Sequence, residues 1–138
     1  MWKYSFYLLA SVVIVLLLGS CADTGEVKAS LGQEFSLSIG QSALIAGENL
    51  QIRFEEVAED SRCAKNVNCI WAGRVSCVVE ITDNGSSYRI VLTQPGMTDQ
   101  YATETYKEYQ LTFNVEPYPE EGKEIAADEY RLLLIVSK

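Results

Sequence analysis

Between Phe35 and Val136 the apolar residues of this chain recur at every second position, and that period restricts the fold more than any other feature. Phe35, Leu37 and Ile39 alternate with Glu34, Ser36 and Ser38, and Leu50, Ile52 and Phe54 alternate with Gln51, Arg53 and Glu55. A period of two puts one set of side chains on one face, so both segments read as strands with a buried face and a wet face. Val75, Cys77, Val79 and Ile81 continue the pattern into Asp83-Asn84-Gly85-Ser86. There Asn-Gly accommodates the positive φ angles of a type I′ turn, and the returning strand is expected to carry Tyr88, Ile90 and Leu92 inward.

Tyr109, Leu111, Phe113 and Val115 alternate with Gln110, Thr112 and Asn114. Pro117 and Pro119 then end that strand, because neither can donate to a ladder. In the final run Leu132, Leu134 and Val136 face one way and Leu133 and Ile135 the other, as in an interior strand. With a shorter strand near Ser42–Ile45, the sequence predicts about seven strands and no amphipathic helix, with one helical turn around Ala126-Ala127-Asp128. The segment from Gln94-Pro95-Gly96 to about Thr105 reads as a loop. The expected fold is all-β, an antiparallel β-sandwich of immunoglobulin-like size, with a small closed β-barrel as the alternative.

The N-terminus belongs to a different kind of segment. Lys3 is followed by an uninterrupted apolar run, Leu8–Leu18, shorter than the roughly 20 residues that a spanning helix needs. Directly after it, Leu18-Gly19-Ser20-Cys21 resembles the bacterial lipobox, in which the cysteine receives diacylglycerol before cleavage on its N-terminal side. The alternatives are an ordinary secreted protein and an uncleaved N-terminal helix. Residues 1–20 are therefore expected to be a lipoprotein signal peptide, residues 21–31 a lipidated, flexible tether, and residues 32–138 the folded domain. The lipid bilayer is the expected partner of acylated Cys21, whose palmitate-type chains would anchor the protein outside the cytoplasm, on the cell membrane or outer membrane. Nineteen acidic against eleven basic side chains give a net charge of −8, which disfavours nucleic acid as a partner.

An oxidising compartment bears on the remaining cysteines, Cys63, Cys69 and Cys77. If Ile70 to Ile81 were one strand, unbroken at Gly73, Cys69 and Cys77 would lie roughly 26 Å apart, whereas a disulfide needs Cα atoms within about 7 Å. Cys63–Cys69 closes a short loop through Asn66 and Asn68, residues that tolerate turn conformations, and is the expected pair. Cys77 shares parity with Val75 and Val79 and is expected in the core as a small apolar residue. Trp71 has the same parity, so it too is expected to point inward, beside the disulfide; the alternative is a solvent-facing aromatic in a binding surface. Gly73 fits a bulge where the loop folds over. Arg62, Lys65, Asn66 and Asn68 are left as candidate surface contacts.

Asp60-Ser61-Arg62-Cys63, followed by Val67-Asn68-Cys69-Ile70-Trp71-Ala72-Gly73, resembles the signature of a group of small bacterial and archaeal lipoproteins and secreted proteins. That signature reads approximately Asp-Ser-Arg-Cys-Pro, then Val-x-Cys-x-Trp-Ala-Gly, and this chain carries Ala64 in place of the proline. The resemblance implies a fold and a compartment and carries no activity with it.

The chemistry available is narrow. The chain has no histidine, so Ser-His and Cys-His nucleophile systems are excluded, and three unlipidated cysteines cannot complete a tetrahedral zinc site alone. No Gly-rich phosphate loop is present, and no metal or other cofactor is expected. A carboxylate-pair hydrolase needs only two placed acids and stays open as the least favoured reading. The leading expectation is a non-catalytic binding or interaction domain tethered to the envelope, with an envelope protein or glycan as partner; the alternative is a structural envelope protein without a discrete ligand.

Overall fold

The computed structural model describes residues 25–97 and 99–138; the expected signal peptide and Cys21 lie outside them. Among the described residues nine strands form two sheets: β1 (Val27–Ala29), β2 (Glu34–Ser38), β3 (Ser42–Ile45), β4 (Leu50–Asp60), β5 (Arg74–Asp83), β6 (Ser86–Pro95), β7 (Ala102–Tyr106), β8 (Tyr109–Glu116) and β9 (Arg131–Ser137). One sheet has the order β1-β3-β4-β5-β6 and the other β2-β9-β8-β7. Every pairing is antiparallel except that of β1 with β3. The all-β sandwich expected from the period of two is the fold found, open at its edges and not closed into a barrel.

The alternating residues supply the core. Leu37, Ile52, Phe54, Val79, Ile81, Leu111, Phe113, Leu132 and Leu134 are fully buried between the sheets. Asn84 and Gly85 both take positive φ, 48° and 83°, so the β5–β6 hairpin turns as its sequence dictates. On the returning strand Leu92 is buried as expected, but Tyr88, expected inward, is exposed, because it stands near the turn on the edge strand β6 and lies against the Tyr106 ring instead of between the sheets. A single 3-10 turn occupies Ala127–Glu129, close to the helical turn expected there.

Two segments depart from expectation. Val27–Ala29 pairs with Ala43–Ile45, so the tether expected through Leu31 gives way to the domain by Val27. Three residues are too few to show a period, and their place comes from the open edge of β3. Ala102–Tyr106, expected to be loop, is the edge strand β7. Most of its residues are exposed, which removes the apolar alternation by which a half-buried strand is recognised.

Register assigns the loops to two ends of the sandwich. Asp60, Arg74, Pro95, Glu116 and Arg131 stand at one end; Ile45, Leu50, Asp83, Ser86, Tyr109 and Ser137 stand at the other. The cysteine loop, the connection after β6 and the connection after β8 therefore share one end.

Candidate functional site

At this cysteine-loop end, β8 runs past its neighbour. The last residue of β8 paired with β7 is Phe113, opposite Ala102, so beyond it the backbone of Val115 has no strand on that side. Buried backbone groups need partners, and two side chains provide them. The Val115 amide donates to Gln94 Oε1 at 3.0 Å, while Val115 oxygen accepts from Arg62 Nη1 at 2.8 Å. Gln94, fully buried, also donates to Asn114 Oδ1 at 2.6 Å and to the Gln100 carbonyl at 2.9 Å.

Arg62 is the centre of this end. Its Nε and Nη2 donate to the two oxygens of Asp60 at 2.8 and 2.7 Å, the bidentate geometry in which guanidinium and carboxylate bind most strongly. Nη2 also donates to the Pro117 carbonyl at 3.0 Å, and Tyr130 hydroxyl donates to Asp60 Oδ2 at 3.0 Å. Burial, reinforced by the neighbouring Asp60 carboxylate, pushes the Tyr130 hydroxyl up to about 12. Tyr118 lies against the same guanidinium, 5.1 Å from ring centroid to Arg62 Cζ. Its hydroxyl donates to the Cys63 carbonyl at 2.9 Å and accepts from the Met97 amide at 3.2 Å. One residue thus joins the cysteine loop to both neighbouring connections.

The disulfide Cys63–Cys69 is formed, with Cα atoms 6.0 Å apart. Cys77 is buried and unpaired, and desolvation pushes its thiol up to about 12, so at neutral pH it is protonated and inert. Both placements are those the sequence predicted. Lys65, Asn66 and Asn68 are exposed, as expected, and Asn66 uses the left-handed region that asparagine tolerates, φ 66°.

Arg62 and Trp71 reverse their expected places. Arg62, expected as a surface contact, is buried, because Asp60 and the two carbonyls at the end of β8 consume its donors. Trp71, expected as a core marker, is 63 % exposed, and its neighbour Ile70 is 95 % exposed. The inward parity assumed a strand continuous from Ile70. The strand instead begins at Arg74, because Gly73 takes φ +67° and its backbone lies against Ser61, where a Cβ would come within 1.8 Å of the Ser61 oxygen. A break in the extended backbone resets the parity of everything before it.

Ladder-like bonds continue past the strands, Arg74 oxygen accepting from Ser61 N–H and Ala72 oxygen from Cys63 N–H, and the loop then leans across the end of the sandwich. Lys65 N–H donates to the Pro119 carbonyl there. Gly96 donates to the Gly73 carbonyl and packs so closely on Ala72 that a Cβ would come within 1.9 Å of its oxygen. This close approach brings Met97, itself 64 % exposed, beside the cysteine loop. Met97 and Val67 line a groove of about 270 Å³ together with Tyr118, Lys65 and Asp99. Exposed Val67, Ile70, Trp71 and Met97, carried by two adjoining loops, thus make the tip of this end apolar, over a base fixed by an ion pair, a disulfide and two glycine contacts. Among the described residues no group of three or more potential metal-ligating side chains comes together.

The only advance signal for this tip was Ile70-Trp71 itself, two large apolar residues next to a disulfide. Met97 had none, since it is brought to the tip by the Gly96 contact and by its amide bond to Tyr118, both meetings across the fold. No protein-family model matches this chain, and neither does any curated protein or solved structure.

Proposed function

We propose that this protein is an envelope lipoprotein, anchored through acylated Cys21, whose domain is a non-catalytic interaction module with the cysteine-loop tip as its contact surface. The observation that carries the reading is the exposure of Ile70 and Trp71 on a braced loop. Large apolar side chains cost solvation when left in water, and a rigid loop that holds them outward loses little conformational entropy on contact. Apolar anchors with satisfied polar groups beneath them are the composition of an interaction surface. The lipobox-like Leu18-Gly19-Ser20-Cys21 and the formed Cys63–Cys69 disulfide support the extracytoplasmic setting.

A photo-crosslinking amino acid placed at position 71 in the tethered protein in living cells tests this. Crosslinks there should far outnumber those from the same group at Ser86, at the opposite end of the sandwich. Equal, background-level capture at both positions would remove the tip as a contact surface.

A further inference from the structure

We infer that the cysteine-loop tip seats in the bilayer that holds the acyl anchor, so that the protein meets its membrane at two points. The inference rests on the anchored reading above and names the partner of the same surface. Four observations lead to it: the direction of β1, the length of the link, the chemistry of the two ends, and the charge of the chain.

β1 pairs in parallel with β3, and β3 runs away from the cysteine-loop end, from Ser42 opposite Arg53 to Ile45 opposite Leu50. The chain therefore enters the sheet travelling away from the tip, and its backward extension from Val27 points toward it. Gly25 is fixed beside Gln41, whose Nε2 donates to its carbonyl at 2.9 Å, and Gln41 oxygen accepts from Phe54 N–H. Gly25 thus stands level with Phe54, and six residues of β4 separate that level from Asp60, roughly 20 Å. Cys21 precedes Gly25 by four residues, which span at most about 14 Å. So short a link holds the domain against the membrane surface, and the direction of the chain from Val27 back to Gly25 turns the tip toward it.

The two ends differ in what they offer a bilayer. The far end carries Glu48, Lys107, Glu108 and Lys138, with Lys107 paired to Asp83 and Lys138 to both glutamates. The tip carries Val67, Ile70, Trp71 and Met97, and tryptophan with aliphatic neighbours is the composition that settles at the boundary of headgroups and acyl chains. The charges around it, Lys65, Arg74, Glu59 and Asp99, are of both signs, and Arg74 is paired with Glu59. With a net charge of −8 the chain gains nothing from anionic lipid, so the seat is apolar and shallow. A weak apolar contact suffices there, because the anchor makes it intramolecular and raises its effective concentration.

The experiment exploits an accident of sequence: the chain has two tryptophans, Trp2 and Trp71, and cleavage before Cys21 leaves Trp71 alone. The full chain is expressed in a host that processes lipoproteins and reconstituted into vesicles of phosphatidylethanolamine and phosphatidylglycerol, with and without brominated acyl chains. Intact mass reports the anchor first; a mature mass without diacylglycerol overturns the anchored reading and this inference with it. With the anchor present, emission from Trp71 should lie to the blue of its value in the unfolded chain and fall about twofold or more with brominated lipid. Raised salt should leave that quenching unchanged, and Ile70→Ser, at a fully solvated position, should weaken it without altering the circular dichroism. Unquenched Trp71 in an anchored protein overturns the membrane seat while leaving the contact surface intact. Crosslinks from position 71 that go to a protein and not to lipid do the same.

Discussion

Arg62 and Trp71 sit nine residues apart in one loop and have opposite fates: the cation is buried and the indole is in water. The guanidinium is tolerated inside because a bidentate carboxylate and two backbone carbonyls accept from it, and a buried charge is stable only when so paired. The indole is outside because Gly73 ends the strand before Trp71 can take an inward position. The half of the loop near β4 is therefore a brace and the half near β5 a display, and the brace fixes the direction of the display.

Breaking the brace should have the largest effect. Arg62→Ala leaves the half-buried Asp60 without a cation and the Val115 and Pro117 carbonyls without this donor, and is expected to destabilise the domain by about 3 kcal/mol in denaturant unfolding. A loss below about 1 kcal/mol would show that water replaces the guanidinium and that the brace is incidental. Gly73→Ala comes next, since its Cβ would meet backbone and its φ is left-handed. A loss of about 2–4 kcal/mol in thermal melts is expected, with the tip displaced and Trp71 emission altered.

The Cys63→Ser/Cys69→Ser pair should cost about 2 kcal/mol by the chain-entropy estimate for so short a loop, measured again by denaturant titration. A pH series reports the ground beneath the brace. Cys77 and Tyr130 hold their protons more tightly in the folded protein, at about 12 against ordinary values of 9.0 and 10.0. The stability they add is complete below those ordinary values and is lost as pH rises from about 9 toward 12. Replacing Cys77 by Ala and Tyr130 by Phe should flatten that alkaline decline relative to their own neutral-pH baselines. Trp71→Ala should change stability least, within about 0.5 kcal/mol, while reducing capture by the same photo-crosslinking group placed at the neighbouring Ile70. A large loss of stability in that variant would place the indole with the brace.

Most of the strands are legible because alternation is a local property. Leu132, Leu134 and Val136 need only the strand they stand in to be assigned a face, and all three are buried. β1 and β7 escaped because one has three residues and the other exposes most of its length, so neither carries a period. The site was half legible for a related reason. Cys63 and Cys69 pair within their own loop, whereas the burial of Arg62 depends on carbonyls 53 and 55 residues away.

The all-β sandwich, the Asn84-Gly85 turn, the Cys63–Cys69 pair and the burial of Cys77 were legible in the sequence by itself, because each follows from local backbone preference, closure of a short loop or strand parity. Only the tertiary structure decided that Arg62 turns inward and that Ile70 and Trp71 face water. That choice rests on the unpaired backbone at the end of β8, which draws Arg62 inward, and on the contact of Gly73 with Ser61, which turns Ile70 and Trp71 out. Both are meetings between distant segments, and a side chain's partner across the fold has no local signature.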